Sequence, residues 1–243
     1  MAKLVRIYHN NGYLDKIYFE NNNKIEGEYK SYHTDGQLQE ICNYINGEMD
    51  GEYKSYHNNG QLYVACNYNC SKMGGEYKRY HYNGQLWNIC NYINGEMNGE
   101  YKEYFDNGRL AVTCYINGKI DGEYKRYHNN GQLSEICNYI NGKFDGEYKL
   151  YYNNGQLSEI CNYINGEMNG EYKSYHNNKQ LYVACNYNCS KIEGEYKRYH
   201  YNGQLWKICN YINGKMNGEY KEYFDNGRLA VACNYINGKI EDI

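Results

Sequence analysis

Proline is absent from this 243-residue sequence, and aromatics other than tyrosine are scarce: two Trp and four Phe stand beside 35 Tyr. Without proline, the turns must come from Gly and Asn, whose backbones accept positive φ at little cost. No apolar run approaches the roughly 20 residues of a transmembrane helix. The N-terminal stretch MAKLVRIYHNNGYL lacks the apolar segment of a secretory signal. An intracellular, cytoplasmic location is therefore expected. The 26 basic and 29 acidic residues are mixed along the chain. No basic stripe stands ready for a phosphate backbone, which argues against a nucleic-acid partner.

What is present is repetition. Gly-Glu-Tyr recurs at Gly27, Gly51, Gly75, Gly99, Gly122, Gly146, Gly170, Gly194 and Gly218, in steps of 24 residues except one of 23. A fixed period of this size marks a repeat array. Residues 27–241 divide into nine copies: 27–50, 51–74, 75–98, 99–121, 122–145, 146–169, 170–193, 194–217 and 218–241. Residues 1–26 form a divergent first copy that reads as a cap. A longer period is superimposed, since residues 51–121 and 170–240 are nearly the same text, differing at places such as Gly60 against Lys179 and Asn88 against Lys207. Residues 27–241 are expected to form one continuous array.

Tyr, Ile and Val favour strands, and no apolar spacing of helical period competes with them. The expected fold is all-β: an elongated, single-layer antiparallel meander of about ten β-hairpins of 24 residues. Adjacent strands lie roughly 4.8 Å apart, and so wide a sheet should twist or curl. In the copy at Gly122, Asn130-Gly131 and Asn141-Gly142 each predict a two-residue type I′ turn. That register places His128 opposite Leu133, Tyr124 opposite Cys137, and Gly122 opposite the cysteine of the preceding copy. Phe144, Gly122, Tyr124, His128, Leu133, Cys137 and Tyr139 then share one face. Glu123, Lys125, Gln132, Asn138, Lys143 and Asp145 share the other, with Tyr127, Ile136 and Ile140 among them and cross-strand charge pairs. A three-residue loop at Asn129–Gly131 would shift the pairing by one. The copy 99–121 lacks a residue, because Cys114 runs directly into Tyr115 where the later equivalent reads Cys233-Asn234-Tyr235. A bulge, a shortened turn or a bend is expected between Thr113 and Gly118.

Chemistry-bearing residues recur too regularly to mark one active site. Nine cysteines, Cys42 through Cys233, repeat once per copy, two strands or about 9–10 Å from one another. That exceeds the reach of a disulfide and suits small buried packing groups. Cys70 and Cys189 instead replace the turn asparagine, in Asn-Cys-Ser sequences. His33, His57, His81, His128, His176 and His200 precede the first turn, and Phe105, Tyr152 and Phe224 replace them elsewhere. A position that accepts His, Phe or Tyr reads as aromatic packing rather than metal ligation. No carboxylate pair, activated nucleophile or phosphate-cradling loop is unique to one place. No catalytic, metal or cofactor site and no small-molecule substrate are expected.

The column that varies most between copies reads Gln39, Tyr63, Trp87, Ala111, Ser134. Tyr63, Trp87, Tyr182 and Trp206 are the candidate recognition surface, since partner specificity can reside only where copies differ. The alternative for the two tryptophans is cross-strand packing on Tyr80 and Tyr199.

The pattern GEYKxYHxNGQL…CNYxNG resembles the MORN repeat (membrane occupation and recognition nexus). It is most similar to the variant found in bacterial antitoxin-like proteins and in repeat proteins of giant DNA viruses. The abundance of Asn, Ile, Lys and Tyr suits an AT-rich genome, which fits the viral side of the resemblance; a viral source would make the location a host cytoplasm. The resemblance runs from Lys3 to about Ile240. It implies a β-hairpin array with scaffolding or partner-binding roles, and in some relatives membrane or phospholipid contact. The expected function is a non-enzymatic scaffold for as yet unidentified protein partners. Peripheral phospholipid association and carbohydrate binding by strand-face aromatics are the alternatives.

Overall fold

The computed structural model describes residues 2–241. Among these, every regular element is a strand; there are 25 strands and no helix. The chain divides into two compact units, Met1–Lys119 and Ile120–Ile243. Within each unit, sequence neighbours pair antiparallel, so each is an open meander one sheet thick.

The two turns of a copy differ. Asn141 and Gly142 both take positive φ, 52° and 79°, and Ile140 pairs with Lys143 across them. This is the expected two-residue turn. Asn129–Gly131 is instead a three-residue loop. The His128 N–H donates to the Gln132 carbonyl and the Gly131 N–H to the His128 carbonyl, both at 2.8 Å. Gly131 alone holds positive φ, 88°. Leu133 therefore faces Tyr127, not His128.

The feared slip does not spread, because a bulge at Ser134 restores the register. Arg126 pairs with Glu135 and Tyr124 with Cys137, as expected. The bulge has a cost in facing. Leu133 moves off the tyrosine face, and in the equivalent copies Leu86 and Leu205 line furrows with glutamate and lysine. The variable column sits at the bulge itself.

A second irregularity explains the glycine of Gly-Glu-Tyr. Cys209 pairs with Tyr220, while Tyr211 pairs with Met216. Two residues are thus looped out around Gly218 and Glu219. The expected pairing of this glycine with the preceding cysteine does not occur. All nine of these glycines have φ between 75° (Gly75) and 108° (Gly99), a region costly to any residue with a Cβ. The outcome is a ladder of alternating tyrosine and cysteine, in which Tyr220 lies between Cys209 and Cys233 and Tyr29, at the start, between Tyr18 and Cys42.

The cysteines are the core. Cys137, Cys161 and Cys209 are 3% exposed, and Cys42, Cys66 and Cys185 are 4%. Beside them runs a row of rings: Tyr124 on Tyr139 at 5.8 Å, Tyr139 on Phe144 at 4.6 Å, Phe144 on Tyr163 at 5.1 Å. The opposite face carries the Glu–Lys pairs, which join residues two apart on one strand rather than across strands. Glu52 with Lys54 at 2.7 Å is typical. Between them lie furrows of about 320 Å³ floored by isoleucine, as at Ile89 and Ile208.

In the short copy, pairing stays regular from Lys102↔Thr113 to Asn98↔Asn117. The loss is absorbed by the turn, where Asn117 belongs to the strand and Gly118 takes positive φ, 66°. Because the strand itself neither bulges nor bends, facing reverses after Cys114. Tyr115 takes the asparagine position opposite Glu100 and is 50% exposed, while Ile116 takes the tyrosine position opposite Gly99.

Candidate recognition surface

The histidine column does more than pack. His128 directs Nε2 at the Tyr151 carbonyl, 2.9 Å away and one copy on. His33, His57, His81, His176 and His200 make the same bond, at 2.8–3.3 Å. Tyr152, which replaces histidine, donates its hydroxyl to the Tyr175 carbonyl at 2.6 Å. Asn130 of the loop accepts from the Gln132 N–H at 3.0 Å and donates to the Asn153 carbonyl at 2.7 Å. Each loop is thereby stitched to the next, and the stitching fixes the histidine rings as platforms.

On two pairs of these platforms the variable column assembles a cluster. In the first unit, Trp87 stacks on His81 with centroids 5.4 Å apart and planes 21° apart. Tyr63 lies on His57 at 4.6 Å, and the exposed Tyr82 closes on the same histidine at 5.3 Å. The Arg79 guanidinium sits 3.9 Å from the Trp87 ring centroid and 4.8 Å from that of Tyr63, and it donates to the Tyr63 hydroxyl. The second unit repeats the arrangement. Trp206 stacks on His200 at 5.6 Å, Tyr182 lies on His176 at 4.7 Å, and Arg198 lies 4.1 Å over Trp206 and 4.7 Å over Tyr182.

The four residues singled out by sequence variation thus fall into two pairs, each joined by an arginine. Neither tryptophan rests on Tyr80 or Tyr199. Their partners are arginine and histidine, because the bulge turns the variable column toward the side of the sheet that Arg79 shares with Tyr77. Sequence reasoning missed Arg79, Arg198 and the exposed Tyr82 and Tyr201. The available signal was an arginine eight residues before each tryptophan, in the two places where tryptophan occurs.

The remaining groups offer little reactive chemistry. Burial, with Glu40 nearby, pushes the Cys42 thiol up to about 12. Burial and Glu135 do the same to Cys137, again to about 12. Thiols so shifted carry almost no thiolate at neutral pH, which nucleophilic attack and metal ligation require. Tyr53 donates to Glu40 at 3.3 Å and Tyr172 to Glu159 at 3.2 Å, so these carboxylates serve the tyrosine row. Among the described residues, no group of three or more His, Cys, Asp or Glu is placed to hold a metal ion. None of the described residues forms a helix long and apolar enough to cross a membrane.

The hairpin unit of two strands, a three-residue loop and a glycine bulge matches one family nine times over. The MORN repeat variant is found at residues 25–46, 49–69, 73–94, 97–117, 120–141, 144–165, 168–188, 192–213 and 216–237. The chain belongs to the MORN repeat variant family. MORN repeats occur in scaffold and membrane-binding proteins, and the family is generally non-enzymatic. Comparison with curated proteins gave no match. Among solved structures, the GtfA/B complex bound to UDP and GlcNAc is 13% identical, covering 46% of this chain and 22% of that one, with a TM-score of 0.21. The TcdB2-TccC3-Cdc42 structure is also 13% identical, covering 96% of this chain and 14% of that one, with a TM-score of 0.21. The MORN chain therefore spans less than a quarter of either, and likeness at this level bears on neither fold nor function.

Proposed function

We propose that this MORN chain is a non-enzymatic scaffold that binds a protein partner through Tyr63, Trp87, Tyr182 and Trp206. The observation that carries the reading is the composition of the two clusters. Trp, Tyr and Arg are the residues that dominate binding energy at protein interfaces, and here they gather where the copies differ. The rings are held by histidines that are themselves bonded to backbone, so little side-chain entropy remains to be lost on binding. Glycan stacking draws less support, because Arg79 and His81 both pack on Trp87, and a sugar needs an open aromatic face. A cytoplasmic location accords with eleven cysteines that are all free thiols.

The test is affinity capture from native lysate with the wild-type chain and with a variant carrying Ala at all four positions, its fold checked by circular dichroism. At least a tenfold loss of a specific partner is expected. Equal recovery by both would contradict the proposal. Salt-sensitive co-sedimentation with anionic liposomes, without protein capture, would replace it with the phospholipid reading.

A further inference from the structure

Arg79 and Arg198 are the unusual members of the clusters. Among the described residues, neither is in an ion pair. The Nε of each is buried without a hydrogen-bond partner. The lysine of each Glu–Lys pair on the other face has a carboxylate beside it, whereas neither of these two arginines has one at ion-pair distance.

The second cluster adds another cation. Lys207 stands directly across the strand pair from Arg198, with Nζ 4.8 Å from the Tyr220 ring and 5.8 Å from that of Tyr196. Like charges directly opposite each other in a sheet are destabilising, and an anion between them removes the penalty. Glu222, the other strand neighbour of Lys207, sets a carboxylate across from it and accepts from the Tyr220 hydroxyl, which leaves Arg198 as the cation without an ion-pair partner. In the first cluster the same position is Asn88, opposite Arg79, whose Oδ1 is buried without a donor. An orphan acceptor there opposes an anion where Lys207 invites one.

We propose that the two Arg–Tyr–Trp clusters are carboxylate-reading sites for an acidic segment of the partner protein. They are equivalent in geometry and unequal in strength, the Arg198–Lys207 site being the tighter. This rests on the scaffold reading above and specifies the chemistry of its partner. One extra charge at this range amounts to about a three- to tenfold difference in half-saturation.

The two tryptophans make the sites separable, because Trp206→Phe leaves Trp87 to report the first and Trp87→Phe leaves Trp206 to report the second. Each single-Trp protein is titrated with a hexaglutamate peptide at low salt while emission is followed. Saturable changes are expected in both, with the lower midpoint at Trp206. Lys207→Asn should bring that midpoint to the Trp87 value, and Arg79→Gln or Arg198→Gln should abolish the response in its own site alone. Silence of both tryptophans overturns the proposal, as does an equal response to hexalysine, midpoints unmoved by Lys207→Asn, or a response to phosphatidylserine vesicles but not to hexaglutamate. A partner captured equally well by the Arg79→Gln/Arg198→Gln protein overturns the anion sites and leaves the scaffold standing. Failure of the wild-type chain to capture any partner overturns the scaffold, while the titration still decides the sites.

Discussion

Lys179 occupies the loop position that glycine holds in the other eight full copies, such as Gly60 and Gly131, and its φ is 72°. The loop is kept, with the Lys179 N–H donating to the His176 carbonyl at 2.9 Å, so the strain sits in the backbone of one residue. Lys179→Gly is expected to stabilise the chain by about 1 kcal/mol, read as a shifted urea midpoint with unchanged slope. The cysteines supply a second test. Cys70 and Cys189 are exposed, and brief alkylation at neutral pH should modify these two before the buried column. Stability should also respond to alkali. Burial raises Cys42 from 9.0 to about 12 and Tyr53 from 10.0 to about 12. The stabilisation from keeping such groups neutral is complete below pH 9, declines above it as the unfolded chain ionises first, and is lost by about pH 12. Urea unfolding at pH 8, 10 and 11.5 should show a falling midpoint; a flat profile would contradict the burial assigned to this column.

At the scale of the hairpin, residue pattern revealed much and concealed one thing. Opposition of Tyr124 and Cys137 was legible because only that register keeps tyrosine and cysteine together. The loop at Asn129–Gly131 was not, because Asn-Gly suits both a two-residue turn and a three-residue loop ending in positive φ. The compensating bulge at Ser134 left no mark in the sequence, since it restores the register that a shorter loop would have given. Its consequences, the transfer of Leu133 and the turning of the variable column toward Arg79, were therefore hidden as well. The missing residue after Cys114 was legible as a defect, and the turn at Gly118 absorbs it. Inserting Asn between Cys114 and Tyr115 should return Tyr115 to the ring row beside Tyr101. An aromatic pair of this kind contributes about 0.5–1.5 kcal/mol. Thermal unfolding should rise by a few degrees, with stronger near-ultraviolet dichroism; a lower midpoint would show that the short turn is the better fit.

For the molecule as a whole, periodicity alone carried the architecture. Each copy is too small to bury a core, and its cysteines become enclosed only when neighbouring strands flank them. The same regularity made function hard to read, because every conserved-looking Cys, His, Glu and Lys belongs to the framework. Among the columns that differ between copies, the one holding Trp87 and Trp206 builds an Arg–aromatic cluster once in each unit. The two faces thus differ in kind. Within each unit, one face carries uniform Glu–Lys pairs and the other carries an Arg–aromatic cluster. The most direct measurement is side-chain footprinting of the chain with and without its captured partner. Protection confined to Tyr63, Arg79, Trp87, Tyr182, Arg198 and Trp206 is predicted, with Lys54, Lys78, Lys173 and Lys197 labelled as in the free chain. Protection of those lysines with the tryptophans unchanged would place the partner on the opposite face and contradict the account.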